Sequence, residues 1–309
     1  LARRDPWVNA LRESTAAFAG AVGGADVIQL PPFDERLRAD SAAARRLARN
    51  TSLILREEAG LHRVMDPAGG SWHFDAFTGL LAERAWERFR ELEREGGMAA
   101  ALVSGLVERR IDEARLARED AVRTRARPLV GVSEFADAAE RDDTVVRAGD
   151  PLNPRFGLHA EAEVFERLRD VADGWARAHG AAPRVFLARL GPPRESSARA
   201  AFVRGAANAG GFETVGPDEV AGTDAAVREF GTSGAHIAVL CGADARYGPD
   251  AAVLAGALRG AGARQVLVAG RPGEHAAALR AAGVGGWLHV GADIAALLAK
   301  AQLLTEVHP

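Results

Sequence analysis

From Pro183 to its end the chain alternates short apolar runs with alanine-rich segments, and no other feature narrows its fold as much. Candidate strands lie at 184–190, 212–215, 235–241, 264–269 and 286–290. Spacings of roughly 20–30 residues suit strand–helix units joined by right-handed crossovers. Five such units make a doubly wound α/β sheet with parallel strands. The first unit, PRVFLARLGPPRESSARAAF at 183–202, sets where chemistry could sit. Its apolar run passes through Gly191 and a Pro-Pro turn into a helical run beginning near Glu195, and such sheets bind ligands at that end of the strand.

Length and charge exclude several classes. At 309 residues the chain is long enough for two domains, and its net charge of 39 − 42 = −3 supplies no basic face for nucleic acid. A single cysteine, Cys241, excludes an intrachain disulfide and suits a reducing compartment. No apolar run reaches the roughly 18 residues of a membrane span, and LARRDPWVNALR has no signal-peptide core, so no membrane is expected and the cytoplasm is the expected location. Leu1 is not an initiator methionine, and the sequence is expected to be a piece of a longer chain.

Before Pro183 the pattern is helical. Val8, Leu11, Thr15 and Phe18 form an apolar stripe, Ala25–Leu30 reads as a short strand, and 41–60 as a helix capped by Ser41 and stopped at Gly60. Met65–Ser71 is a loop. Residues 76–95 form a third helix with Leu80, Leu81, Trp86 and Phe89 available for its buried side. Residues 99–127 are charged and helical and end in a basic run. Residues 128–182 connect, with an amphipathic helix near 159–179.

Five segments carry a resemblance: RRDPWVNALRESTAAF, GGADVIQLPPFDE, RRLARNTSLILREEAGLHRVMDPAGGSWH, GGMAAALVSG and RPLVGVSEF. Together with 183–202 they resemble the methylmalonyl-CoA mutase family, and within it the small, non-catalytic subunits of heterodimeric enzymes. The resemblance implies that 1–127 is the C-terminal end of a (β/α)8 TIM barrel with trailing helices. Residues 128–182 would be a connecting region, and 183–309 a flavodoxin-like, cobalamin-binding-type domain of strand order 2-1-3-4-5. A barrel takes roughly 250 residues, so this portion alone would leave exposed the apolar surface meant for missing strands.

Cobalamin-carrying members hold an Asp-x-His-x-x-Gly loop whose histidine ligates cobalt. Those positions fall here on Pro193, Glu195 and Ala198. Glu195 offers a hard oxygen in place of an imidazole, Pro193 neither donates a backbone bond nor accepts through its side chain, and Ala198 adds a Cβ where glycine lets the cofactor approach. Two further departures point the same way. Arg4 stands where catalytic subunits have Gln before Asp5-Pro6. Leu30-Pro31-Pro32-Phe33-Asp34-Glu35 replaces a Thr-Asn-Ala-Leu-Asp-Glu stretch that meets the adenosyl group. The resemblance therefore implies no catalytic, cofactor-binding or metal residue in this chain.

Other features read as structure. Cys241, at the end of the third strand, is a buried structural cysteine. His62 and His73, which flank Asp66, match no metal-ligand spacing, and His236 and His289 lie within or beside strands. Glu57-Glu58 are neighbours on a helix and do not face each other. The basic run 123–127 reads as solvated, Gly283–Gly286 as a glycine run that precedes a strand, and Asp244, Arg246 and Tyr247 as a polar cap on the ligand side.

The leading expectation is the small subunit of an adenosylcobalamin-dependent methylmalonyl-CoA mutase. It would be the structural partner of a large catalytic subunit that holds the cofactor and interconverts methylmalonyl-CoA and succinyl-CoA. The alternative is a non-catalytic module that binds cobalamin base-on, or another small ligand. A self-sufficient mutase is the third reading, opposed by the altered loop and adenosyl-facing stretch.

Overall fold

The computed structural model describes residues 1–37, 41–140 and 159–305. The polar stretch predicted to connect the two halves falls mostly at 141–158, outside the described residues. The chain divides into two compact units. The first holds Leu1 and Pro6–Arg118, and the second holds Ala2–Asp5 and Glu119–Pro309.

The first unit is helical: α1 (Pro6–Val22), α2 (Ala42–Leu53), α3 (Trp72–Arg94), α4 (Met98–Val103) and most of α5 (Leu106–Arg123). Ser41 caps α2 as expected, its hydroxyl accepting from the Ala44 N–H at 3.2 Å. The predicted helix to Gly60 stops short at Leu53 and relaxes into a π turn over Ile54–Glu58. Glu57 and Glu58 lie exposed there.

Helical period was read correctly in this unit and facing was not. On α1 the buried residues are Asn9, Glu13 and Ala17, whereas Leu11 and Phe18 of the predicted stripe are exposed. On α3 no residue is buried, and Leu80, Leu81, Trp86 and Phe89 all point to solvent. The predicted strand at Ala25–Leu30 does not form, bending at Asp26 and joining no ladder, with Val27 exposed. The physical reason is common to all three: an apolar stripe or a strand edge is satisfied only where another element offers it a surface. Trp7, Trp72 and Trp86 are likewise 60% or more exposed. Burial, with Glu35 and Asp34 nearby, pushes the Glu13 carboxyl up to about 7.

The second unit is the predicted α/β sheet. Helix α6 (Glu163–His179) leads into β1 (Arg184–Arg189), α7 (Pro193–Ala209), β2 (Glu213–Val215), α8 (Thr223–Ser233), β3 (Ile237–Cys241), α9 (Pro249–Gly260), β4 (Gln265–Ala269), α10 (Ala276–Ala281), β5 (Val284–Leu288) and α11 (Ile294–Leu304). All pairings are parallel and the strand order is 2-1-3-4-5. Successive side chains of β1 enter opposite cores. Val185 and Leu187 join Phe165, Val203, Phe212 and Leu298 on one face, and Phe186 and Ala188 join Phe230, Leu254 and Leu258 on the other. The alanine-rich faces of α7 and α9 let helices sit close against this sheet.

The last strand begins two residues earlier than predicted. Leu267 pairs with Gly286 while Val266 pairs with Val284, so Gly285 is an extra residue in the edge strand. Gly285 and Gly286 of the run 283–286 thus lie at a β-bulge inside the strand, and only Gly283 stands ahead of it. Among the described residues no helix is long and apolar enough to cross a membrane.

Candidate functional site

The carboxyl ends of β1 and β3 lie side by side at the point where strand order reverses, the expected ligand crevice of such a sheet. The chain leaves β1 through Leu190, whose N–H donates to Cys241 O at 2.8 Å, and turns at Gly191 with φ +75°. Pro192 caps α7 and Pro193 is its first residue, the position where a missing N–H does no harm. Pro193, Glu195 and Ala198 therefore stand in the first turns of a helix that begins two residues ahead of the predicted start near Glu195, although the resemblance places these positions in a loop. The connection left for a loop is Leu190 to Pro192.

Ion pairs occupy the crevice. Arg246, on the short turn Asp244–Arg246 after β3, donates from Nε to Glu195 Oε2 at 2.8 Å. A Cβ built on Gly191 would lie 2.9 Å from Arg246 Nε and 3.0 Å from Glu195 Oε2, so the pair lies directly over the backbone. Arg246 holds the Glu195 carboxyl below its ordinary value. Arg199, one turn along α7, donates to Gly242 O and to Asp244 Oδ1, both at 2.6 Å, and lies over the Tyr247 ring. Buried Arg189, the last residue of β1, pairs with Asp218 and donates to Ser197 Oγ at 2.9 Å and Ser196 Oγ at 3.4 Å.

Tyr247 ties strand ends together. Its hydroxyl donates to Ala269 O at 2.6 Å and accepts from the Gly242 N–H at 3.0 Å. Burial pushes that phenol up to about 12. The predicted polar cap of Asp244, Arg246 and Tyr247 is thus a set of internal contacts. Sequence reasoning missed Arg189, Arg199 and Asp218. The available signal was a charged residue closing a buried strand, which obliges a partner elsewhere.

A cobalt-ligating histidine does not fit here. None of the three loop positions carries an imidazole, and the carboxylate nearest in place is committed to a guanidinium. His236 is exposed at the start of β3 and His289 Nδ1 faces Val290 O, 2.8 Å away. His62 Nδ1 lies 2.6 Å from Arg56 O, and the His73 ring stacks on Phe77. The basic run is solvated at Arg127 and partly at Arg123, which pair with Glu161 and Asp293, while Arg125 is drawn in against Glu134.

Cys241 is fully buried, and burial pushes its thiol up to about 12. It is expected to resist a disulfide reagent at pH 8 in the native chain and to react at once in denaturant. Full labelling of the folded chain within minutes would contradict this burial.

A family model described as methylmalonyl-CoA mutase matches residues 1–171. The chain is 45% identical over 278 residues to the methylmalonyl-CoA mutase small subunit of Streptomyces virginiae, covering 89% of this chain and 45% of that protein. It is 36% identical over 271 residues to the small subunit from Propionibacterium freudenreichii subsp. shermanii, covering 87% and 42% respectively. A methylmalonyl-CoA mutase of Cereibacter sphaeroides is 34% identical over 172 residues, which is 56% of this chain and 24% of that protein. The chain thus spans less than half the length of these relatives.

Proposed function

Since this chain belongs to the methylmalonyl-CoA mutase family, we propose that it is the C-terminal portion of a small subunit that supports a catalytic partner and performs no chemistry itself. The assembled enzyme would interconvert methylmalonyl-CoA and succinyl-CoA in the cytoplasm, with adenosylcobalamin supplying the radical from the large subunit. Residues 1–127 would close a (β/α)8 barrel, and 183–309 would be a flavodoxin-like domain that keeps the shape of a cobalamin carrier without its ligand.

One observation carries the reading: Glu195, at the position where a carrier has its imidazole, is paired with Arg246 across the backbone of Gly191. The extent of similarity adds support. Relatives named small subunit align with 87–94% of the chain, against 56% for the Cereibacter protein named simply as the mutase.

Adenosylcobalamin added to the purified chain is expected to separate from it on gel filtration. The chain, extended to the length of its relatives, is expected to co-elute with a large subunit. Retained cofactor with a histidine-ligated spectrum would overturn the assignment of an empty loop. Retained base-on cofactor would make the chain a binding module, and failure to associate with any large subunit would remove the structural role.

A further inference from the structure

At the amino ends of the strands, on the side of the sheet opposite the crevice, lies a cleft of about 140 Å³. Its wall carries Trp175 and His179 from the last turns of α6, Arg184 from the start of β1, Gly234 and His236 ahead of β3, and Thr305 after α11. Two imidazoles thus face one small space from different elements, and both residues are exposed.

His179 is held in the form a metal ligand needs. Its ring stacks on the indole of Trp175 with centroids 3.5 Å apart, and its Nδ1 lies 3.0 Å from Trp175 O. A carbonyl oxygen only accepts, so the proton sits on Nδ1 and the lone pair on Nε2. A hydrogen bond of this kind fixes the tautomer and ring plane of metal-ligating histidines. The ring of His236 makes no hydrogen bond or ion pair among the described residues, so it can turn to meet an ion.

The surroundings favour a cation. Helices α6, α8 and α11 end here, at His179, Ser233 and Leu304, and helix carboxyl ends carry partial negative charge. Guanidinium groups already answer two of them. Arg184 Nη1 donates to Ser233 O at 3.2 Å, and Arg264 Nη1 to Leu304 O at 3.0 Å. None reaches the end of α6 among the described residues. The charge of Arg184 does not repel a second cation strongly, because Glu213 lies 2.9 Å from its Nε.

We propose that His179 and His236 clamp a divalent transition-metal ion in this cleft, each through one imidazole nitrogen, with water completing the shell. Neutral imidazole suits Zn²⁺, Cu²⁺ and Ni²⁺. Among the described residues no three histidine, cysteine or acidic side chains gather as a metal centre, so the clamp is a two-point site and not a closed structural one. Metal–nitrogen bonds of about 2.0–2.1 Å bring the two ring nitrogens to roughly 3–4 Å of each other around the ion. The bound ion ties the end of α6 to the start of β3.

Cu²⁺ added to the whole chain, after treatment with a chelator, is the test. At one equivalent, electron paramagnetic resonance is expected to show two imidazole nitrogens on copper, and Zn²⁺ to displace it. His179→Phe keeps a ring against Trp175 without a nitrogen, and His236→Gln removes the other ligand. Each is expected to weaken copper binding about a hundredfold, since a two-point clamp becomes a single contact. Far-ultraviolet circular dichroism should not change, because both side chains lie at the surface. Equal affinity in the parent and in the chain carrying both substitutions would mean an adventitious ion only, and would overturn the site. A one-nitrogen spectrum from the parent would overturn it too, and that measurement needs no variant.

Discussion

Gly216→Ala is expected to destabilise the sheet unit by about 3–5 kcal/mol, lowering its melting temperature by roughly 10 °C. Gly216 follows β2 at φ +127°, a conformation an L side chain rarely adopts. A Cβ there would lie 2.7 Å from Leu187 O and 3.3 Å from Leu187 N. Those are backbone atoms in the middle of β1, whose residue pairs with Val239 of β3, so neither can give way. Relief would have to come from the connection that follows, which carries Asp218 to Arg189 and places the Val220 N–H 3.0 Å from Arg189 O. Urea unfolding monitored in the far ultraviolet would measure the effect. A change under 1 kcal/mol would mean that this connection does not approach β1 as described.

Arg169→Met comes next, with an expected loss of about 3–5 kcal/mol. The guanidinium is 2% exposed and joins three chain segments. Its Nη2 donates to Asp137 O at 2.9 Å and Glu140 O at 3.0 Å, and its Nη1 to Asn208 O at 3.2 Å. Methionine keeps the apolar stem but leaves those carbonyls without their donor. Lysine should recover only part, because one ammonium cannot replace a planar fork.

The loss should also depend on pH. Burial already holds the Glu140 carboxyl above its ordinary value, against the lowering influence of Arg169 and Arg4. Removing Arg169 raises it further. A folded state that keeps a proton the unfolded chain releases loses stability as pH rises from the ordinary carboxylate value through the folded one. The variant should therefore lose more relative to the parent at pH 8 than at pH 5. An equal loss at both would detach Arg169 from Glu140.

The legibility of the sequence divides at the same place as the chain. In the second unit each predicted strand was found, within a residue or two at most ends, because parallel strands buried on both faces must be continuous apolar runs. The bulge at Gly285 escaped because a glycine inside a strand and one before it read alike. In the first unit the helices were legible and their facing was not. Period says which residues share a side, and only a neighbouring element says whether that side is covered.

At the candidate site, Glu195 could be picked out but not its partner. Arg246 lies 51 residues further on, and nothing local in the sequence joins them. The same holds for Arg4 and Asp173, whose contact spans most of the chain. Long-range ion pairs leave no periodic signature. Their only local trace is a charge placed where the surrounding pattern calls for burial, as at Arg189 and Arg169.

The tryptophans make the two units optically separable. Trp7, Trp72 and Trp86 are solvent-facing and all lie in the first unit, whereas the second unit holds Trp287, 8% exposed in the sheet core, and the half-buried Trp175 of α6. Red-shifted emission open to an aqueous quencher comes chiefly from the helical unit and protected blue emission from Trp287 of the sheet, with Trp175 of α6 between the two. With Trp175 replaced by phenylalanine, a single fluorescence spectrum can then tell which unit has become covered or has come undone.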